Sequence, residues 1–256
     1  MRVTALPPSD RLAPFVRRFT IVETDDEATR ALMPAPGLIL GLRLSGSATQ
    51  LDGTPERMPD ASIAGVQART RVMRTSAAGY AVLAEFREGG AAEFLAPPLH
   101  ELSGRTVALE DLIGRAAVDE ARSRIADATS HRGRVAAFEQ FLLSRRLHRE
   151  VDPRVAAAID LIRRRRGSLR MRELADHVAL SADALEKRFR RAVGTAPKQY
   201  ASMIRLRHAL ALRDAGMSLT AAALEAGYFD QAHFNRAFRR VTGTSPQSFF
   251  GSGDRC

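Results

Sequence analysis

The C-terminal part of the chain contains one sequence unit twice, and this repeat limits the fold more than any other feature. The first copy begins at Leu180 with LSADALEKRFRRAVGTAPKQY, and the second begins 49 residues later at Phe229 with FDQAHFNRAFRRVTGTSPQSF. Each copy starts at a residue that favours a helix N-cap, Ser181 or Asp230, and ends in a C-cap glycine followed by a proline. The repeat therefore predicts one helical unit used twice. The matched positions include Phe189 with Phe238, Arg190 with Arg239, Arg191 with Arg240, Gly194 with Gly243, Thr195 with Thr244, and Pro197 with Pro246.

The repeated helix is predicted to be amphipathic. At about 100° per residue, Phe234, Phe238 and Val241 of the second copy fall on one stripe that faces a core. The outward residues are Ala232, Arg236, Arg239 and Arg240 in the second copy, flanked by His233 and Asn235, and Asp183, Lys187, Arg190 and Arg191 in the first, flanked by Ala184 and Glu186. Each helix is therefore expected to present a charged, largely basic face.

A shorter helix and a tight turn precede each copy. MRELADHV, residues 171–178, leads into Ser181, and LTAAALEA, residues 219–226, leads into Asp230. A helix, a short turn and a second helix with a basic outward face form a helix-turn-helix, whose second helix fits the major groove of DNA. The alternative is a helical bundle with arginine-rich surfaces, but two matched units with matched caps favour the helix-turn-helix. The units are predicted at about residues 169–193 and 218–242, with a linking helix at 197–214.

The charge of the chain is concentrated in the same region. Residues 151–256 hold 19 Lys and Arg against 10 Asp and Glu, whereas residues 1–150 hold 20 against 19. Such asymmetry indicates a polyanionic partner for one domain, most often a nucleic acid, although a solvated basic surface gives the same count. Lysine occurs only at Lys187 and Lys198. Arginine suits phosphate and guanine, but a GC-rich genome also raises its frequency.

The first half of the chain has a different pattern. Short apolar runs punctuated by glycine, at residues 37–46 and 78–90, predict partly buried strands, and the more polar run at 66–76 predicts an edge strand. A short helix is expected after residue 90, weak helices at 108–116 and 120–128, and a stronger one at 134–147. Asp152 and Pro153 then read as the N-cap and first residue of a new helix. We therefore predict an α+β N-terminal domain at residues 1–150, followed by an all-α domain with two helix-turn-helix units at 151–256.

Several function classes lack their sequence signatures. There is no apolar stretch of about 18 residues, no N-terminal apolar signal region, and a single cysteine, Cys256. The six histidines form no HExxH spacing, and neither GxSxG nor GxGxxG occurs. We therefore expect a cytoplasmic protein that is not an enzyme, without catalytic residues, metal or cofactor. Two alternatives are an alkyl-transfer DNA repair protein, which needs a structured acceptor thiol that Cys256 does not offer, and an architectural or RNA-binding protein.

The stretch GYFDQAHFNRAFRRVTGTSP, from Gly227 to Pro246, resembles the signature of AraC/XylS-type transcriptional regulators. Residues 154–250 are similar to their DNA-binding domain. The resemblance implies two helix-turn-helix units joined by a long helix, PKQYASMIRLRHALALRDAG at 197–216, and recognition helices that enter successive major grooves on one side of DNA. Residues 86–112 resemble part of an N-terminal domain that occurs in many AraC-type regulators and whose ligand is uncharacterised.

The resemblance also implies which residues contact DNA. Base readers are expected on the early outward part of each recognition helix: Gln231, Ala232, His233 and Arg236 in the second unit, and Ala182, Asp183, Glu186 and Lys187 in the first. Arg236 suits guanine, Gln231 suits adenine, and Ala232 suits a thymine methyl. The residues expected on phosphate, which positions but does not specify, are Arg190, Arg191, Lys198, Arg239 and Arg240. A solvated role is the alternative for each arginine, and capping or packing for Gln231 and His233.

The first recognition helix departs from the expected pattern. Asp183 and Glu186 are acidic, so they repel phosphate unless each accepts a hydrogen bond from cytosine N4. These two acidic side chains therefore weigh against base reading by the first unit.

The expected partners are double-stranded promoter or operator DNA, RNA polymerase, and an unidentified small-molecule effector that acts on the N-terminal domain. Dimerisation through that domain is an open alternative, and no membrane partner is expected. The effector-binding residues are not assigned. Gly89 and Gly90 precede a predicted helix and could offer N–H groups to an anion, but a strand-to-helix turn is the favoured interpretation.

Overall fold

The computed structural model describes residues 1–149 and 151–251, in which a β-rich half precedes a helical half. The strands are β1 (Arg2–Leu6), β2 (Val16–Thr24), β3 (Ala28–Leu32), β4 (Ile39–Ser45), β5 (Ala48–Gln50), β6 (Glu56–Arg57), β7 (Ala61–Ala64), β8 (Arg71–Thr75), β9 (Gly79–Phe86) and β10 (Thr106–Ala108). The larger sheet has six antiparallel strands in the order β1-β2-β9-β4-β7-β10, and the smaller has four in the order β3-β8-β5-β6.

The larger sheet buries one face through side-chain alternation. Along β9, Val82, Ala84 and Phe86 are buried and their neighbours are half-buried, which is the period-two pattern of a strand packed on one side. Phe19 of β2 lies 5.5 Å, centroid to centroid, from Phe138 in a helix that covers the sheet. The apolar runs at 37–46 and 78–90 thus contain β4 and β9.

The prediction of an edge strand at residues 66–76 is wrong. The strand there, β8, lies inside the smaller sheet and pairs with β3 on one side and β5 on the other. None of its five residues is fully buried. Its polar composition reflects the exposed faces of this small sheet, not an unpaired edge.

Short helices connect the sheet to the helical half. Two 3₁₀ helices, Gly90–Glu93 and Leu99–Leu102, take the place of the α-helix expected after residue 90, because Pro97 and Pro98 leave little chain for α-helical hydrogen bonds. Three helices follow: α1 (Glu110–Ile113), α2 (Arg115–Asp127) and α3 (His131–Leu143). Helix α3 begins earlier than expected because the Ser130 hydroxyl accepts a hydrogen bond from the Gly133 N–H and caps it.

The helical half consists of seven helices in the described residues. They are α4 (Pro153–Arg164), α5 (Met171–His177), α6 (Ala182–Val193), α7 (Pro197–Asp214), α8 (Leu219–Glu225), α9 (Gln231–Thr242) and α10 (Pro246–Gly251). Asp152 caps α4 by accepting hydrogen bonds from the N–H groups of Arg154 and Val155, and Pro153 is its first residue.

The buried side chains of the helical half belong to two separate clusters. One cluster runs without interruption from the larger sheet into α4, α5, α6 and the start of α7, and includes Leu99, Leu185 and Phe189. A second cluster around Phe234 and Phe238 holds α8, α9 and the end of α7 together. The first helix-turn-helix unit therefore shares its core with the N-terminal half, and the second has a core of its own.

Candidate nucleic-acid interface

Helices α6 and α9 are matched in length and in both caps. The Ser181 hydroxyl accepts a hydrogen bond from the Ala184 N–H, and the Asp230 carboxylate accepts one from the His233 N–H. Each helix has twelve residues and ends at a left-handed glycine, Gly194 with φ 90° and Gly243 with φ 80°. Glycine adopts this conformation without the steric cost of a Cβ, so both helices end where the sequence places these residues.

The turn between the two helices of each unit also contains a left-handed residue. In the second unit this is Gly227, with φ 82°, and in the first it is Ala179, with φ 50°. A Cβ on Gly227 would lie 2.6 Å from the Ser168 Oγ, so the second turn is also closely packed. The glycine of the glycine-aromatic turn thus occupies a left-handed backbone position. In the first unit an alanine occupies the corresponding position.

Aromatic side chains fix the orientation of α9. Phe234 and Phe238 are completely buried, and their ring centroids lie 5.8 Å apart. Tyr228 packs edge-on to Phe234 at 5.2 Å, and burial raises the pKa of its hydroxyl to about 12. Phe249 and Phe250 of α10 close the other side of Phe238. This packing holds the opposite face of α9 towards solvent.

The outward face of α9 is basic. Ala232, Arg236, Arg239 and Arg240 are exposed, and they border a shallow depression together with Asn235. Within the described chain, the side chains of these three arginines have no hydrogen-bond or ion-pair partner. Their guanidinium groups are therefore available to an anionic partner.

The outward face of α6 is partly neutralised. Asp183, Glu186, Lys187 and Arg190 are all exposed. Glu186 forms an ion pair with Arg190 at 3.6 Å, one turn along the same helix. The two units therefore differ in electrostatics although they match in backbone.

Two of the predicted base readers of the second unit already have contacts within the protein. The Gln231 Oε1 accepts a hydrogen bond from the Thr220 hydroxyl at 3.1 Å. The His233 ring packs on Tyr228 at 5.3 Å, and its Nδ1 accepts from the Phe229 N–H at 3.4 Å. The side chains of both residues therefore already bond or pack within the second helix-turn-helix unit.

The remaining predicted contacts lie at the ends of helices. Ala182 is exposed in the first turn of α6, Lys198 is exposed in the first turn of α7, and Arg191 is exposed near the end of α6. In the arginine run at 163–166, by contrast, each side chain contacts another residue of the protein. These contacts join Arg163 to Glu88, Arg164 to Asp160, Arg165 to Glu173, and Arg166 to His208.

The N-terminal half lies directly beside α6. A Cβ on Gly194 would lie 3.2 Å from the Leu99 carbonyl oxygen, so the second 3₁₀ helix packs against the end of α6. Pro98 and His100 border a surface depression that Asp183, Lys187 and Arg190 also line. This contact could not be predicted from the sequence, because it joins residues about 90 positions apart.

Asn235 is a polar residue that the sequence analysis placed only at the flank of α9. It borders the same depression as Arg236, and its Oδ1 is buried without a hydrogen-bond partner. The helical periodicity places Asn235 near the boundary of the outward face. The sequence does not show whether its side-chain amide has a hydrogen-bond partner.

Other kinds of site are not apparent in the described residues. Among residues 1–149 and 151–251, no helix is long and apolar enough to cross a membrane, and no cluster of His, Cys, Asp and Glu could hold a metal ion. Cys256 lies outside the described residues.

Sequence comparison identifies a domain in each half. The profile of a helix-turn-helix domain matches residues 174–252, and that of a domain of unknown function, DUF6597, matches residues 4–108. A protein of Streptomyces antibioticus, described as a candidate AraC-like transcription regulator, is 34% identical over 100 residues. That match covers 38% of this chain and only 33% of the relative.

Structure comparison identifies the same overall fold in ToxT from Vibrio cholerae. A variant of ToxT in its apo form has a TM-score of 0.51 at 12% identity, covering 91% of this chain and 96% of ToxT. Another ToxT structure has a TM-score of 0.50 at 10% identity and covers 98% of both chains. ToxT bound to (E)-4-(8-methylnaphthalen-1-yl)but-3-enoic acid also has a TM-score of 0.50 at 10% identity, covering 91% and 97%. This likeness confirms the predicted order of an N-terminal domain with β-sheets and a C-terminal helical domain.

Proposed function

We propose that the chain is an AraC-type helix-turn-helix regulator that binds specific DNA sequences and regulates transcription from them. In this proposal α6 and α9 each enter a major groove of double-stranded DNA. The protein would act in the cytoplasm, where promoter DNA and RNA polymerase are its partners.

The observation that carries this proposal is the outward face of α9. Three guanidinium groups that have no partner within the described chain lie on the exposed side of a helix whose other side is fixed by buried aromatic rings. A duplex supplies phosphates along the groove and base edges within it, so this face suits both kinds of contact. Arg236 lies earlier in the helix and is the proposed guanine reader, and Arg239 and Arg240 are proposed phosphate contacts.

The other proposed contacts follow the same division. Ala232 faces outward and suits a thymine methyl, and Gln231 and His233 would have to exchange their present contacts for bases. In the first unit, Ala182, Asp183, Glu186 and Lys187 are the proposed base readers. Arg190, Arg191 and Lys198 are the proposed phosphate contacts there.

We also propose that a small molecule controls DNA binding through the N-terminal domain. The organic acid bound in ToxT, a protein of the same fold, supports an effector of modest size. The shared core between the sheet and α6 supports communication with the first recognition helix. One chain already carries two recognition helices, so a homodimer is not required for a bipartite site.

The proposal is tested by selecting bound duplexes from a random DNA library with the full-length protein at about 0.15 M salt. We expect a bipartite motif whose two halves lie about one helical turn apart. A motif with one half only would contradict base reading by α6. No enriched motif with the full-length protein would overturn the proposed function.

A further inference from the structure

A cavity of about 510 Å³ lies where the N-terminal half meets helices α4 and α6. Its walls come from the Gly89–Gly90 turn and Phe15 on one side, and from α4 and α6 on the other. Cavities of this volume hold small organic molecules in other proteins. We call it the junction cavity. It lies outside the proposed DNA-reading faces except at Arg191, which borders both.

Much of the cavity wall is apolar. Phe15 and Pro97 contribute from the N-terminal half, and Val155 and Ile159 contribute from successive turns of α4. These side chains favour the apolar body of a ligand, since burying such a body removes hydrocarbon surface from water. A purely hydrophilic ligand would gain nothing from this wall.

The carboxylates that line the cavity already have partners. Glu88 and Glu93 are almost completely buried, and Asp152 is half-buried. Their cationic partners are Arg17 at 2.8 Å and Arg163 at 3.5 Å for Glu88, Arg146 at 2.9 Å for Glu93, and Arg188 at 3.2 Å for Asp152. Their negative charge is therefore balanced, and they give the cavity little affinity for a cation.

Two cations at the cavity have no side-chain ion pair with a carboxylate among the described residues, 1–149 and 151–251. In the described chain, the Arg149 side chain donates only to the carbonyl oxygens of Leu95, at 3.2 Å, and Ala96, at 3.0 Å. The Arg191 side chain has no hydrogen-bond or ion-pair partner in the part of the chain that the structure describes. An apolar wall beside uncompensated guanidinium groups matches a ligand with an apolar body and a negative end.

We propose that the junction cavity binds a small organic carboxylate whose apolar body lies against Phe15, Val155 and Ile159 and whose carboxylate pairs with Arg191. Arg149 adds a second positive charge at the cavity but has fewer free donors, because two of its nitrogens already bond to backbone carbonyls.

This site couples ligand to DNA through one side chain, an inference that rests on the proposed function. Arg191 is near the end of the first recognition helix and is a proposed phosphate contact. A carboxylate that holds Arg191 withdraws it from phosphate, so the ligand lowers DNA affinity. By linkage, DNA lowers ligand affinity by the same factor.

The binding site is tested by calorimetric titration of the full-length protein with 1-naphthylacetate and with the uncharged 1-naphthaleneethanol. We expect the acid to bind about tenfold more tightly than the alcohol, because only the acid forms a charge-assisted bond. Arg191→Ala should weaken acid binding about tenfold. The matched control is Arg190→Ala, one position away on α6 and outside the cavity lining, which should leave it unchanged.

A second pair of variants tests the location independently of charge. Ala156 is an exposed residue of α4 that lines the cavity, so Ala156→Trp fills it with little demand on the core. Ala126 is an exposed residue of α2 outside the lining, and Ala126→Trp is the control. Loss of binding in Ala156→Trp alone supports the site. Equal binding by both tryptophan variants, or no binding of the acid to the unaltered protein, would overturn it.

DNA binding is measured in the same preparation, by fluorescence anisotropy with and without saturating 1-naphthylacetate. We expect weaker DNA binding with the acid, and no effect of the acid in Arg191→Ala. An acid that binds but leaves DNA affinity unchanged would refute the coupling. A protein that binds the acid as predicted but binds no duplex would contradict the proposed function and leave the carboxylate site standing.

Discussion

Arg239→Ala should reduce the salt dependence of DNA binding much more than Arg190→Ala. These residues occupy matching positions in the two units, but their surroundings differ. The Arg239 side chain has no partner in the described chain, whereas Arg190 forms an ion pair with Glu186 at 3.6 Å. Comparing the two variants therefore isolates the effect of the Glu186 carboxylate on an arginine that occupies the same position in both units.

The magnitude follows from counterion release. Each phosphate that a cation neutralises contributes about 0.9 to the slope of log affinity against log salt. Over a range from about 50 mM to about 200 mM, loss of one such contact changes the affinity ratio roughly 3.5-fold. We expect Arg239→Ala to lower the slope by about 0.9, and Arg190→Ala by less than half as much, since Glu186 already balances that charge.

The assay is fluorescence anisotropy of a selected duplex at four salt concentrations. Arg124→Ala in α2 is the control, because Arg124 pairs with Glu120 and is not one of the proposed DNA contacts, and its slope should equal that of the unaltered protein. Glu186→Gln should release Arg190 and raise the slope. Equal slope changes for the two arginine variants, or none for Arg239→Ala, would refute the reasoning.

Three further changes test other parts of the account. Arg236→Ala should cost about 1–3 kcal/mol on the selected site and relax one base position, measured by repeating the selection; a uniform loss on all sequences would assign Arg236 to phosphate instead. Gly227→Ala should lower the free energy of unfolding by about 1–2 kcal/mol, because a Cβ is strained at its left-handed φ. Ala179→Gly should cause no such loss. The free energy of unfolding of both variants is measured by urea titration, and equal losses would show that the left-handed φ is not the cause. Phe238→Ala should cost about 3–5 kcal/mol in that assay, since its ring is completely buried, and a loss below about 1 kcal/mol would show that the second core is not formed as described.

Helices α6 and α9 could be predicted from the sequence because the residues that begin and end them act locally. Ser181 and Asp230 act as N-caps on the groups directly following them, and Gly194 and Gly243 adopt the left-handed conformation at the ends of their helices. The spacing of Phe234 and Phe238 places both in a core at a period that any helix shares. None of these inferences needs knowledge of distant parts of the chain.

The surroundings of those helices could not be predicted from the sequence, because they depend on contacts between residues that are far apart in it. The interior position of β8 follows from pairing with two other strands, which its polar composition does not reveal. The packing of Leu99 against the end of α6 and the ion pair between Arg163 and Glu88 both join the two halves of the chain. The junction cavity arises from the same contacts, so only the folded structure reveals it.

The central claim is that two recognition helices of one chain read one side of a duplex. The most direct measurement is a hydroxyl-radical footprint of the full-length protein on a selected site, with the unaltered protein and with Arg236→Ala. We predict two protected stretches about one helical turn apart on the same face of the DNA, with protection reduced in only one of them by the substitution. A single protected stretch, or equal loss of protection along the whole site, would contradict the account.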